Sequence, residues 1–172
     1  MLEKMGITVE VWPLAADEAG IWLISGGDAL RWGPVTADGD VHYEAETLLR
    51  GFGLDLDQVP VIHSTSWRPD GPAIVLTYSA VVRAPGYVLE TWPQAAPVTA
   101  ALPAAVGKAP PHAAAEVPVP RLVDVLLHCL RHLRFLMSAD AETAAALDTN
   151  WRGHLRPLEP ALATMFSERL AG

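Results

Sequence analysis

The first hundred residues alternate short apolar runs with turn-forming residues, a pattern typical of a strand-rich region. Residues 7–12 alternate between apolar and polar side chains, and residues 20–24 form an apolar run that ends at a Gly-Gly-Asp turn, so both segments predict strands. Residues 31–39 are rich in glycine, proline and aspartate, which predicts a loop. Apolar residues recur at spacings of three and four along residues 42–52, which predicts a helix ended by glycine.

The clearest local signal is a predicted β-hairpin. Residues 59–67 and 73–82 are rich in strand-forming residues, and the linking sequence Arg-Pro-Asp-Gly suits a type I turn. The second run is apolar on both faces, which predicts a central strand covered on two sides. Residues 86–92 predict one more strand.

The C-terminal third has a helical pattern. Residues 108–120 are rich in proline and alanine and predict a linker, whereas residues 121–137 carry a wide apolar stripe that predicts a core helix. Residues 140–151 and 157–170 predict two more helices. The sequence therefore predicts an α/β (α+β) fold in three parts: a mixed-sheet domain over residues 1–107, the linker, and a helical extension over residues 121–172. This extension packs on the first domain or on a partner.

Composition narrows the function only slightly. Hydrophobic residues make up 51% of the 172 residues, which excludes a wholly disordered chain. The net charge of −8 resides in residues 1–120, so nucleic acid is not expected as a partner. Cys129 is the only cysteine, which excludes an intramolecular disulfide. The absence of a signal-like start or a long apolar run predicts a cytoplasmic protein with no membrane partner, and the high content of arginine and alanine suggests a bacterial, GC-rich source.

Two sets of side chains are candidates for binding. His63, Thr65 and Trp67 share one face of a regular strand, and with Trp32 they form an aromatic and polar set suited to a ring-shaped ligand; the alternative is that the tryptophans close a small core. His128 and His132 are spaced i,i+4, which suits a metal ion if a third ligand such as His63 is added. The alternative is a solvated or packing face of the helix.

The order of these elements resembles that of Nudix domains. The resemblance rests on Trp32-Gly33-Pro34 in the predicted loop, on the segment from Glu46 to Leu54 at the helix end, and on His63-Ser64-Thr65-Ser66-Trp67 in the following strand. It implies a mixed sheet sandwiched by helices. In that family, glutamates of the signature helix hold the magnesium ion that activates water against a diphosphate.

The signature helix departs from the family at its metal-binding positions. When Gly53-Leu54 is aligned with the end of the signature, the two metal-binding glutamates fall on Arg50 and Gly51. Since a hard cation needs carboxylate ligands, the sequence predicts a catalytically degenerate Nudix-like module that binds a small molecule or nucleotide, or regulates, without a cofactor. One alternative is an enzyme of another mechanism, hydrolytic or biosynthetic, with His63, Asp40 and Glu44 as catalytic candidates. Another is an interaction subunit, or a homodimer, that uses its helical extension.

Overall fold

A mixed β-sheet lies at the centre of the computed structural model, which describes residues 5–35, 38–98 and 122–165. Within these residues the sheet has seven strands in the order β6-β2-β1-β5-β4-β7, and β3 pairs with the first half of β1. Strands β1 and β5 are parallel, and β4 and β5 are antiparallel. The strands are β1 (Gly6–Asp17), β2 (Gly20–Leu23), β3 (Leu30–Val35), β4 (Val61–Asp70), β5 (Ala73–Val81), β6 (Ala96–Pro97) and β7 (Thr164–Met165).

Helices cover both faces of the sheet. They are α1 (Val41–Gly51), α2 (Val88–Thr91), α3 (Leu122–Ala139), α4 (Ala141–Ala146) and α5 (Thr149–Leu155), with one 3₁₀ turn at Leu56–Gln58. Helices α1 and α2 pack on one face, termed the α1 face, around Val9, Val11 and Leu49. Helices α3 and α5 pack on the other, the α3 face, around Trp12 and Leu130. The predicted α/β class, a mixed sheet with flanking and C-terminal helices, is confirmed.

Two aspartates accept hydrogen bonds from backbone N–H groups at the N-terminal ends of α1 and α2, the helices on the α1 face. Asp40 caps α1, since its Oδ1 accepts hydrogen bonds from the backbone N–H groups of His42 (3.0 Å) and Tyr43 (3.2 Å). Asp17, at the end of β1, accepts the Trp22 indole N–H on Oδ1 (2.9 Å) and the Val88 backbone N–H on Oδ2 (2.9 Å). The buried Asp17 carboxylate thereby joins the β1–β2 turn to the first residue of α2.

The hairpin of β4 and β5 is confirmed, but its turn lies further along the chain than predicted. The strands pair as far as Asp70 and Ala73, so that Gly71 and Pro72 form the turn instead of residues 68–71. Gly71 has a φ of +56°, a conformation that glycine adopts readily. Because β-strand pairing continues through Arg68 and Pro69, the Arg68 side chain is held on the sheet.

Residues 31–39 were predicted to be a loop, and this is wrong for the first part. Residues Leu30–Val35 form the edge strand β3, which pairs antiparallel with β1. Gly33 suits this position because a Cβ atom there would lie 2.8 Å from the Thr8 Cα. Pro34 is tolerated because an edge strand leaves one row of backbone groups unpaired. Gly33 and Pro34, which usually interrupt strands, therefore lie here where β3 packs closely against β1.

Other predicted boundaries also change. Residues 86–92 contain the helical turn α2 instead of a strand, because Asp17 holds the Val88 N–H. Residues 140–151 are split into α4 and α5, since Asp148 caps a new helix by accepting the Trp151 N–H. Residues 157–165 are not helical, because Pro157, two residues after the end of α5, and Pro160 both lack a backbone N–H that could donate within a helix. The linker at 108–120 and residues 166–172 lie outside the described residues. The long helix predicted at 121–137 is confirmed as α3.

Candidate functional site

A groove of about 530 Å³ lies on the α1 face between β3 and α1. Trp32 forms one side of it and is 60% exposed, although its neighbours in the groove are mostly apolar. Trp32 pairs with Val9, whose side chain is in the core of the α1 face, so that the indole points to the same face. The groove is lined by Ala29, Leu30, Arg31, Trp32, Glu44, Thr47, Leu48, Gly51 and Phe52.

The α3 face carries a run of buried and partly buried polar residues between the sheet and α3, termed here the polar seam. It consists of Glu10, His63, Thr65, Arg68, Thr77, His128, Cys129 and His132. Thr65 is fully buried, and its Oγ1 lies 3.3 Å from the Cys129 Sγ and 3.4 Å from the Thr77 carbonyl oxygen, to which it donates. Burial raises the pKa of the Cys129 thiol to about 12, so this cysteine is a protonated packing residue.

Two histidines of the polar seam contact each other. His132 Nδ1 lies 3.0 Å from the Ala161 carbonyl oxygen, so this nitrogen carries the proton. His132 Nε2 then accepts from His63 Nδ1 at 3.2 Å, and the same His63 nitrogen is 2.8 Å from the Ser64 carbonyl oxygen. Burial lowers the pKa of His132, and the nearby His63 and His128 lower it further, so its ring is neutral near pH 7.

The expected metal pair, His128 and His132, has its nitrogens directed to different partners. His128 Nε2 lies 3.1 Å from the Thr65 carbonyl oxygen, while both nitrogens of His132 are already engaged. Only 8% of His128 and 3% of His132 is exposed, so both histidines pack against other parts of the protein instead of lying on a solvated face. In the described part of the chain, no group of three or more histidine, cysteine or acidic side chains is arranged to hold a metal ion.

The ring-binding set does not lie on one face of β4, so that prediction is wrong for Trp67. A β-bulge places an extra residue, Thr65, between the pairs Ser64–Tyr78 and Ser66–Thr77. His63 therefore lies on the α3 face, whereas Trp67, paired with Leu76, lies on the α1 face. Trp67 is 40% exposed there but does not line the groove. Of the predicted ligand-binding residues, Trp32 alone lines it.

The three catalytic candidates are also divided between the two faces. Asp40 caps α1 and lies near Tyr78, whose pKa is raised by burial and by the Asp40 charge. Glu44 lines the groove, whereas His63 contacts His132 on the α3 face. The structure therefore brings neither acid to His63. At the end of α1, Arg50 forms an i,i+4 ion pair with Glu46, at 3.4 Å.

Sequence reasoning missed an ionic cluster at Glu10, which is fully buried on the α3 face. Its Oε1 accepts from Arg68 Nη2 (2.8 Å) and Arg31 Nη2 (2.7 Å), and its Oε2 accepts from Arg68 Nη1 (2.8 Å) and Thr77 Oγ1 (2.9 Å). Burial alone would raise the pKa of Glu10, but the hydrogen bonds and charge of Arg68, with Thr77 and Arg31, lower it. Glu10 was visible only as a polar position in an alternating strand; its two arginine partners are 21 and 58 residues away.

A second cavity, of about 270 Å³, lies beside this cluster and is termed the charged cavity. It is bounded by β1, β3, β4, α3 and the segment between β2 and β3. Its lining residues are Glu10, Trp12, Gly27, Asp28, Arg31, Arg68 and Val125. The groove and the charged cavity therefore lie on opposite faces of the same sheet.

Comparisons of this chain with protein-family models, curated proteins and solved structures find no match. Among the described residues, no helix is both long and apolar enough to cross a membrane.

Proposed function

We propose that this protein is a Nudix-like binding module that holds a planar small molecule, of the nucleobase class, in the groove between β3 and α1. The observation that carries this proposal is Trp32, a large aromatic side chain that is 60% exposed at the edge of a groove of about 530 Å³. Known small-molecule pockets span roughly 300–1,000 Å³ and combine apolar surface with a few polar groups. The groove fits that description.

The chemistry of the groove favours a ring that carries hydrogen-bond donors. Leu48 of α1 and Phe52, which follows the helix, contribute apolar surface to the groove beside Trp32, so that a flat ring can stack on the indole and exclude water. Glu44 supplies a carboxylate and Thr47 a hydroxyl, and both can accept a hydrogen bond from an exocyclic amine. Nucleobases combine a flat aromatic surface with such amines.

The sequence of α1 supports binding without metal-dependent hydrolysis. In the proposed Nudix-like alignment the metal ligands correspond to Arg50 and Gly51, and the Arg50 guanidinium is paired with Glu46. A cation at this position repels a divalent metal ion, and glycine offers no side-chain oxygen. The order of strands, helix and hairpin, with helices on both faces, supports the Nudix-like assignment.

The test is a fluorescence titration with adenosine, cytidine and AMP, each with and without EDTA. Stacking on an aromatic side chain contributes roughly 1–3 kcal/mol per base, so Trp32→Ala is expected to weaken binding about 5- to 150-fold. Trp67→Ala is the matched control, because Trp67 is an exposed tryptophan on the same face that does not line the groove. EDTA should change nothing. Equal binding by the two variants would contradict the proposed site.

A further inference from the structure

The part of α1 that lines the groove is a single stripe of the helix. Four of its residues line the groove at the spacing i, i+3, i+4 and i+7, which places them on one side of the helix: Glu44, Thr47, Leu48 and Gly51. At the rise of an α-helix this stripe is about 10 Å long, which is enough for a nucleobase and part of its sugar. Glu44, at the N-terminal end of the stripe, is its one ionisable side chain.

The Glu44 carboxylate has no counter-charge among the described residues. Its side chain is half-buried, and it takes part in no ion pair or side-chain hydrogen bond with another residue that the structure describes. The other acids of this helix are engaged, since Asp40 accepts two N–H groups at the helix start and Glu46 pairs with Arg50. The charge of Glu44 is therefore the one that the helix leaves unbalanced.

Arg31 does not supply the missing positive charge, although it also lines the groove. Its Nε and Nη2 atoms lie 3.0 and 2.7 Å from Glu10 Oε1 on the α3 face. Because Arg31 and Trp32 are consecutive residues of a strand, the guanidinium lies across the sheet from the indole. The groove beside Trp32 thus carries the negative charge of Glu44.

A ligand that fills this groove takes water away from the Glu44 carboxylate. A carboxylate that loses water without gaining a positive partner is destabilised, so a neutral ring binds here at a cost. A positively charged ring offsets that cost, because it supplies the counter-charge. It is also attracted to the face of an indole, which is the aromatic side chain that binds cations best, and Trp32 is exposed in the same groove.

We propose that the groove selects planar cations, such as a nucleobase made positive by methylation of a ring nitrogen, over neutral rings of the same shape. Trp32 supplies the stacking surface and Glu44 the counter-charge. This inference rests on the proposed function, since it concerns the same groove, and it adds the charge of the ligand and the residue that selects it.

The experiment is a tryptophan-fluorescence titration of the full chain at pH 7 with 1-methyladenosine, N6-methyladenosine and adenosine. 1-Methyladenosine is a cation at this pH, N6-methyladenosine is its neutral positional isomer, and adenosine lacks both the methyl group and the charge. The cation should bind about 5- to 30-fold more tightly than either neutral base.

Two variants of α1 test the source of this preference. Glu44→Gln keeps the size of the side chain and one acceptor oxygen but removes the charge, so the preference for 1-methyladenosine over its isomer should fall about 3- to 10-fold. Glu46→Gln is the matched control, because Glu46 lies on the same helix but does not line the groove. This variant should keep the preference of the wild-type protein.

Equal affinity of the wild-type protein for the cation and its neutral isomer would overturn the inference. The same preference in Glu44→Gln as in Glu46→Gln would also overturn it. The Trp32→Ala variant separates this inference from the proposed function. If Trp32→Ala weakens all three ligands and charge makes no difference, groove binding stands and selection of cations fails; if Trp32→Ala weakens none of them, both proposals fail.

Discussion

The Glu10 cluster predicts that two arginines bound to one carboxylate contribute very different amounts of stability. Arg68 donates two hydrogen bonds of 2.8 Å to Glu10 and one of 3.1 Å to Thr77. Arg31 contacts Glu10 through Nε (3.0 Å) and Nη2 (2.7 Å). The contacts are of similar length, but the Arg68 side chain is 12% exposed and that of Arg31 is 50% exposed.

Solvent exposure sets the expected magnitudes. Without Arg68, the fully buried Glu10 keeps only the half-exposed Arg31 as counter-ion and loses both hydrogen bonds from the buried guanidinium. Breaking a buried ion pair costs about 3–5 kcal/mol, so Arg68→Met should lower the free energy of unfolding by up to about that amount. Arg31 is half-exposed, and its loss leaves Glu10 with both hydrogen bonds from Arg68. Arg31→Met should therefore cost about 0–1 kcal/mol, the range typical of pairs with a solvent-exposed partner. Since domains of ordinary stability have about 5–15 kcal/mol in total, Arg68→Met removes a large share of it.

The measurement is urea denaturation of both single variants at pH 7, together with the double variant Glu10→Met/Arg68→Met. Replacing both buried charges with apolar side chains also removes the carboxylate that Arg68→Met leaves buried without its main partner, so the double variant should be more stable than Arg68→Met alone. If Arg68→Met and Arg31→Met lose the same free energy within about 0.5 kcal/mol, burial does not govern this cluster and the reasoning is refuted.

Three further predictions concern the histidines, α3 and α1. Burial lowers the pKa of His128 and His132, so their stabilising effect should be complete above about pH 6.5 and be lost as the pH falls below it; urea midpoints at pH 7.5, 6.5 and 5.5 measure this. Leu130→Asp should cost more than about 4 kcal/mol, because Leu130 is fully buried, whereas Ser138→Asp on the same helix should stay within about 0.5 kcal/mol in thermal melts. Purified protein should show no EDTA-sensitive hydrolysis of ADP-ribose in Mg²⁺ or Mn²⁺; turnover at ordinary enzyme rates would show that α1 is misaligned.

The sequence predicted the elements whose signals are local. The helix α1 has both a regular apolar spacing and an Asp40 cap, and the β4–β5 hairpin has strand-forming residues on each side of a turn. The edge strand β3 was missed because Gly33 and Pro34 usually break structure. Here the glycine permits a close approach to Thr8, which only the three-dimensional fold reveals.

The candidate site was harder to predict because it depends on strand register and on contacts between residues that are far apart in the sequence. The bulge at Thr65 moves Trp67 to the face opposite His63, and no residue type in that segment signals the extra residue. The Glu10–Arg68 pair joins β1 to β4 across 58 residues, so neither partner predicts the other. Trp32, predicted from its chemistry as a ligand-binding residue, lines the groove, although its segment was assigned to a loop.

The pairing of β1 with β3 explains how one short edge strand contributes to both cavities. Arg31 and Trp32 are consecutive, so a strand directs their side chains to opposite faces of the sheet. Arg31 reaches Glu10 beside the charged cavity, and Trp32 lines the groove against α1. A slip of one residue would exchange the two faces, burying the guanidinium in an apolar groove and removing one partner of Glu10. The Glu10–Arg31 pair, although its arginine is half-exposed, therefore also favours the register that places Trp32 in its groove.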